Sequence, residues 1–209
     1  MKIIDISLPL NNKTPIYPDN VPLSVGVHHA MPEYSTHLSS ITFGSHTGTH
    51  IDAPAHCVVG GFTLDKIPLE TFIGTCRVLD FSKETGEAVS LEFLKNKNIK
   101  TGERILLKTK NSVRGFKEFY DDYVYLDGDA ADYLANLGIL ILGIDSLSVK
   151  KRGGADVRPH TSLLEKNIPI IEGLDLSKAE EKEYELFCLP LNFIDIEGSP
   201  ARAVLVEKF

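Results

Sequence analysis

The chain has 209 residues and a formal net charge of −7, with 43% hydrophobic and 24% charged residues. That balance is ordinary for a soluble globular protein and excludes disorder as the main state. The acidic balance lacks the footprint of a nucleic-acid binder, and no run approaches the roughly 20 apolar residues of a transmembrane helix. A small-molecule partner is expected, with neither nucleic acid nor membrane.

In Met1-Lys2-Ile3-Ile4-Asp5-Ile6 an aspartate interrupts the apolar residues. That is a strand pattern and not a signal peptide, and a cytoplasmic location is expected. Short β-branched or alternating runs bounded by turn residues predict strands at Ile3–Ser7, Ser24–His28, Leu38–Phe43, Cys76–Phe81 and Arg104–Lys108. The same pattern recurs at Ile139–Ile144, Ile168–Ile171, Tyr184–Leu191 and Ala203–Val206. Three helices are predicted. Leu91–Lys97 follows Ser90 as N-cap, Asp129–Leu137 ends at a left-handed Gly138, and Thr161–Asn167 lies between Pro159 and Pro169. Strands outnumber helices and mix with them irregularly, which points to a mixed α/β or β-rich fold. No repeat or linker divides the chain, so residues 1–209 are taken as one domain. Cys57, Cys76 and Cys188 are odd in number and widely spaced, which argues against a disulfide framework or a thiolate zinc site.

The densest chemistry lies in His46-Thr47-Gly48-Thr49-His50-Ile51-Asp52-Ala53-Pro54-Ala55-His56. Imidazole and carboxylate are ligands for zinc and manganese. The His46/His50 spacing suggests a zincin helix, but Gly48 and Pro54 weaken a helix here and no Glu follows His46. In an extended chain, positions 46, 50, 52 and 56 lean to one side. The segment therefore reads as a strand end running into a shaped loop. His160 and Glu172 are a second candidate pair. A short helix rising about 10 Å and a strand returning about as far bring both to one end of the domain. By themselves, His160 also reads as a helix cap and Glu172 as a solvated strand end.

The stretch His46-x-Gly48-Thr49-His50-x-Asp52-x-Pro54-x-His56 resembles the signature of the cyclase-type metal-dependent hydrolases, the family that includes bacterial kynurenine formamidases (arylformamidases) and isatin hydrolases. Further likenesses follow at Thr14-Pro15-Ile16-Tyr17-Pro18, Leu142-Gly143-Ile144-Asp145, His160, Ile171-Glu172-Gly173-Leu174, Leu189-Pro190-Leu191 and Ser199-Pro200-Ala201-Arg202-Ala203. They span nearly the whole chain. The resemblance implies a single α/β domain with a twisted β-sheet core and flanking helices. It implies two divalent ions per subunit, zinc or manganese. His46, His50 and Asp52 would hold one ion, and Asp52, His160 and Glu172 the other, with Asp52 bridging. His56 would be the general base and acid, its ordinary pKa lying near the working pH.

The implied reaction is hydrolysis of a small amide, N-formyl-L-kynurenine giving L-kynurenine and formate in tryptophan degradation. The alternatives are a cyclic, isatin-like amide or a non-catalytic metal-binding module. No Gly-x-Ser-x-Gly elbow offers a serine nucleophile. The chain departs from the family at Tyr17, where a substrate-stacking tryptophan is expected. Tyrosine keeps the aromatic face, so Tyr17 remains the substrate-binding candidate. A homodimer or homotetramer is implied, with Tyr17 also a candidate to complete a neighbour's site. His28, His29 and His37 are expected to be structural or exposed. Asp145 ends a buried strand, as support for the site or as a local hydrogen-bonding group. Lys150-Lys151-Arg152 reads as a solvated basic loop or as a lid over an acidic substrate.

Overall fold

The computed structural model describes residues 1–207. Its strands are β1 (Ile3–Asp5), β2 (Ser24–His29), β3 (Leu38–Thr42), β4 (His50–Asp52), β5 (Ile73–Asp80), β6 (Ala88–Val89), β7 (Arg104–Lys108), β8 (Tyr125–Leu126), β9 (Ile141–Ile144), β10 (Ile170–Glu172), β11 (Glu183–Pro190) and β12 (Gly198–Val206). The helices are α1 (Leu91–Lys95), α2 (Lys110–Arg114), α3 (Gly128–Leu137) and α4 (Arg158–Leu164).

Eight strands form one sheet in the order β1-β12-β11-β5-β7-β9-β10-β4, and β4 also pairs with β12. The second pairing closes the sheet into a barrel. The long β12 makes this possible: Gly198–Pro200 pair with β4, and Val204–Val206 pair with β1 farther along. β5, β7, β9 and β10 run parallel, while β4, β11 and β12 pair antiparallel.

The burial pattern of each strand follows from what covers it. In β7, Ile105 and Leu107 join the cluster under the helices, while Leu106 joins the barrel interior. A parallel strand covered on both faces reads as a continuous apolar run, as Ile105-Leu106-Leu107 does. β11 has only one covered face. Tyr184, Leu186 and Cys188 point into the barrel, while Phe187 and Leu189 are exposed. The outer cluster holds Leu94 of α1, Ala130, Ala131 and Leu134 of α3, and Leu163 and Leu164 of α4.

The sequence-predicted helices are present with shifted ends. α3 starts where the Asp127 side chain accepts from the Ala130 amide, and it stops at Gly138 with φ 74°. α1 ends at Lys95, and Ser90 occupies its N-cap position without a side-chain capping bond. α4 starts at Arg158 and not at Thr161, because proline is tolerated in a helical first turn and Pro159 sits there. His160 therefore lies inside the helix and does not precede it. α2 was not predicted. Its start is held by the Thr109 hydroxyl, which accepts from the Asn111 amide, and by buried Asp145, which accepts from the Thr109 and Ser112 amides. Asp145 thus has the local role.

Beyond the β1–β12 pairing, one hydroxyl links the N-terminal segment to the loop after β10. Thr49 Oγ1 accepts from the Leu8 amide at 2.8 Å and donates to the Gly173 carbonyl at 2.6 Å. Thr49→Val keeps the shape and strands both buried partners. The expected loss is about 1–3 kcal/mol, read as a lower denaturant midpoint with an unchanged slope.

Candidate metal centre

β4 carries the first ligands. Ile51 is fully buried in the barrel interior, so alternation turns His50 and Asp52 to the other face. Burying such a side chain stabilises by about 1.5–3 kcal/mol, which holds the strand in that orientation. Before β4, Gly48 adopts φ 63°, and the turn brings its carbonyl within 2.9 Å of His50 Nδ1. With Nδ1 donating to that carbonyl, Nε2 is left to face the site, the arrangement a metal-binding imidazole requires.

β10 pairs Glu172 directly opposite His50. Their nearest atoms, His50 Nε2 and Glu172 Oε2, are 3.4 Å apart. His160, in the first turn of α4, places Nε2 3.2 Å from Glu172 Oε1 and 3.7 Å from Asp52 Oδ2. The helix-out, strand-back geometry expected from the sequence brings this pair together. Glu172 Oε1 also accepts from the Val149 amide at 2.6 Å. His46 Nδ1 lies 2.7 Å from Asp52 Oδ1. His56 ends a 3-10 turn at Pro54–His56, its ring centroid 4.2 Å from His46 and 5.5 Å from His160. The segment bends, yet all four side chains of the motif reach one place.

The donor set fits a divalent cation. His46 Nε2, His50 Nε2 and Asp52 Oδ2 are buried without a hydrogen-bond partner. Such orphaned atoms are rare in folded proteins and call for an explanation; a bound cation is one. Ligand atoms lie within 4.8 Å of one another in two groups, His46–Asp52–His56 and His50–Asp52–Glu172. Asp52 belongs to both. The grouping puts His56 beside His46 and Asp52, whereas the family resemblance implies His50 there.

Glu197 was missed by sequence reasoning. Its Oε1 accepts from Ser45 Oγ at 2.5 Å and lies 3.4 Å from His46 Nε2. The available signal was an acid directly before the Gly198-Ser199-Pro200 stretch. Gly198 itself is needed, because a Cβ there would lie 2.8 Å from the His46 ring.

A cleft of about 250 Å³ opens onto these residues, lined also by Tyr17, Asn20, Leu147, Ser148 and Lys150. Tyr17 meets Phe119 edge-on at 5.2 Å, and Phe119 meets Tyr123 at 5.9 Å. Tyr17 thus lines the cleft of its own chain, backed by an aromatic ladder. Exposed His28 stacks on His29, and His29 on Tyr34, all away from the cleft. His37 is also exposed. The three cysteines are free. Burial and the Asp52 and Glu172 charges push the Cys57 thiol up to about 11, so it stays protonated and offers no Cys–His pair.

Without metal, the two carboxylates hold a proton on His50. Burial alone would lower the His50 pKa, but the Asp52 and Glu172 carboxylates, each 3.4 Å from Nε2, outweigh it and raise it to about 10. For Asp52 and Glu172 burial acts upward, and their histidine partners win and hold both below the usual carboxylate range. The raised His50 stabilises the metal-free fold fully below its ordinary 6.5, and this is lost as pH rises toward 10. The depressed carboxylates stabilise it above their ordinary range, and this is lost in acid. The metal-free protein is therefore expected to lose Tm from pH 6 to pH 10, and the metal-loaded protein less, in paired thermal scans with and without chelator.

Residues 4–151 match the family model described as "Putative cyclase". The chain belongs to the cyclase family. The kynurenine formamidase of Bacillus cereus (strain ATCC 10987) is 35% identical over 203 residues, covering 97% of this chain and 96% of its own. The "predicted metal-dependent hydrolase" of Bacillus stearothermophilus superposes with a TM-score of 0.86 at 31% identity, covering 98% and 97% of the two chains. Isatin hydrolase A from Ralstonia solanacearum shares the cyclase fold at TM-score 0.83 and 22% identity, over 99% and 92%. Among the described residues, no helix is long and apolar enough to cross a membrane.

Proposed function

We propose that this chain, taken as one catalytic unit of 209 residues, is a metal-dependent amidohydrolase that cleaves N-formyl-L-kynurenine to L-kynurenine and formate. The observation that carries this is the convergence of His46, His50, His160 and Glu172 on one cleft, with fully buried Asp52 directly behind His46, His50 and His160 and with orphaned buried donor atoms among them. Near-full-length similarity to kynurenine formamidases supports the choice of substrate. His46, His50 and Asp52 hold one divalent ion and Asp52, His160 and Glu172 a second, in zinc form, with manganese suited to the same donors. Such ions supply Lewis-acid polarisation of a carbonyl and a lowered pKa for water.

The protein's own groups do the rest. Tyr17 offers its aromatic face to the aryl ring of the substrate. Desolvation by the His46 and His160 rings packed on one side of His56, whose other side stays open to solvent, lowers its pKa, which keeps the ring neutral and able to accept a proton at pH 7. His56 takes a proton from the attacking water and returns it to the amine nitrogen as the carbon–nitrogen bond breaks. The formyl carbon keeps the oxygen and leaves as formate.

Supported by the family likeness, the proposal extends to a cytoplasmic homodimer or homotetramer. Metal analysis combined with assays on N-formyl-L-kynurenine and isatin tests it. Bound divalent metal and turnover of the formamide are expected. Turnover of isatin alone would replace the formamidase assignment with a cyclic-amide hydrolase.

A further inference from the structure

Three successive cations, Lys150, Lys151 and Arg152, follow β9 and its loop, and the fold sends them to different places. Lys151 Nζ lies 3.0 Å from Glu87 Oε2, on the outer surface. Arg152 Nη1 lies 2.9 Å from Asp121 Oδ1. Lys150 turns to the cleft that holds the metal centre. Among the described residues its ammonium contacts only the Lys151 carbonyl, at 3.5 Å, and no carboxylate pairs with it.

The backbone beneath Lys150 is fixed. Its carbonyl accepts from the Tyr123 hydroxyl, and its amide donates to Ser148 Oγ at 3.3 Å. The preceding amide, of Val149, donates to the candidate ligand Glu172. Lys150 therefore starts from a point tied both to the aromatic ladder and to the metal centre.

Charge arithmetic then limits what Lys150 can face. Glu172 on the cleft and Asp52 buried behind it are engaged by histidines, and would be engaged by cations once the centre is loaded. With two dications bound against two carboxylates, the cleft floor would be net positive. An ammonium on the rim of such a floor is unfavourable unless an anion arrives with the substrate. The aromatic face of Tyr17 on the same cleft selects a flat apolar group for the remainder.

On the amidohydrolase reading above, we propose that Lys150 determines specificity by binding a carboxylate of the substrate, so that this cleft takes carboxylate-bearing aryl amides in preference to carboxylate-free ones. A charge-assisted bond of this kind is expected to favour the anion by about ten- to a hundredfold.

The test is calorimetric binding to zinc-loaded wild type, Lys150→Met and Lys150→Arg. Two ligand pairs are used: 3-(2-aminobenzoyl)propanoate with its neutral carboxamide, and 2-aminobenzoate with 2-aminobenzamide. Wild type should prefer the carboxylate of at least one pair by that factor. Lys150→Met should erase the preference while leaving the affinity for the neutral ligand unchanged, and Lys150→Arg should restore most of it. Equal affinities in wild type, an undiminished preference in Lys150→Met, or no binding of any of the four ligands overturns the proposal. A Lys150-dependent preference without turnover of N-formyl-L-kynurenine would remove the formamidase assignment and leave the role of Lys150 standing.

Discussion

Asp52→Ala is expected to leave the protein unable to retain divalent metal and to lower kcat/KM by roughly a thousandfold or more, since metal chemistry supplies several kcal/mol of transition-state stabilisation. Asp52 is fully buried, and its two oxygens serve different partners. Oδ1 stands 2.7 Å from His46 and 3.4 Å from His50, while Oδ2 has no hydrogen bond and stands 3.7 Å from His160. No other residue belongs to both groups of candidate ligand atoms. Removing it therefore disables both groups at once. Because alanine also leaves buried imidazoles without their counter-charge, Asp52→Asn is the companion variant: it keeps the shape and removes the charge. Elemental analysis after gel filtration checks both. Full metal occupancy in a folded Asp52→Asn protein would show that the carboxylate does not bridge.

His56→Ala is expected to lower kcat by about 10²- to 10⁴-fold, the usual contribution of a general acid–base, with metal content unchanged. The geometry makes this a sharp test, because the His56 ligand atoms also lie close to His46 and Asp52. If His56 is a ligand, the variant loses bound ion along with activity. If it carries the proton, the ions stay and only turnover falls. The exposed position of His56 against the buried His50 and Asp52 favours the proton-carrying role.

Much of this centre was legible in the chain itself because its signals are local. His46, His50, Asp52 and His56 fall within eleven residues, and a strand followed by a turn gathers them without distant help. His160 and Glu172 were legible through one helix and one strand. What stayed hidden depends on long-range pairing. The β12–β4 contact joins residues near 51 and 199, and no periodicity encodes which distant strand closes a barrel. Glu197 reaches His46 only through that closure. The basic run at 150–152 reads as one patch, since the acids that draw Lys151 and Arg152 away, Glu87 and Asp121, lie distant in sequence. α2 depends on Asp145, thirty-odd residues on, and its five residues carry too little pattern to be seen alone.

β4 is only three residues long and has a neighbour hydrogen-bonded along each edge. The groups proposed to recognise the rest of a substrate, Tyr17 and Lys150, lie instead in segments outside the strands. Reactivity and selectivity are thus written in separable parts of the chain. A lineage, or a laboratory selection, can exchange Tyr17, Lys150 and their surroundings to reach new amides while the clamped strand carries the same chemistry forward unchanged.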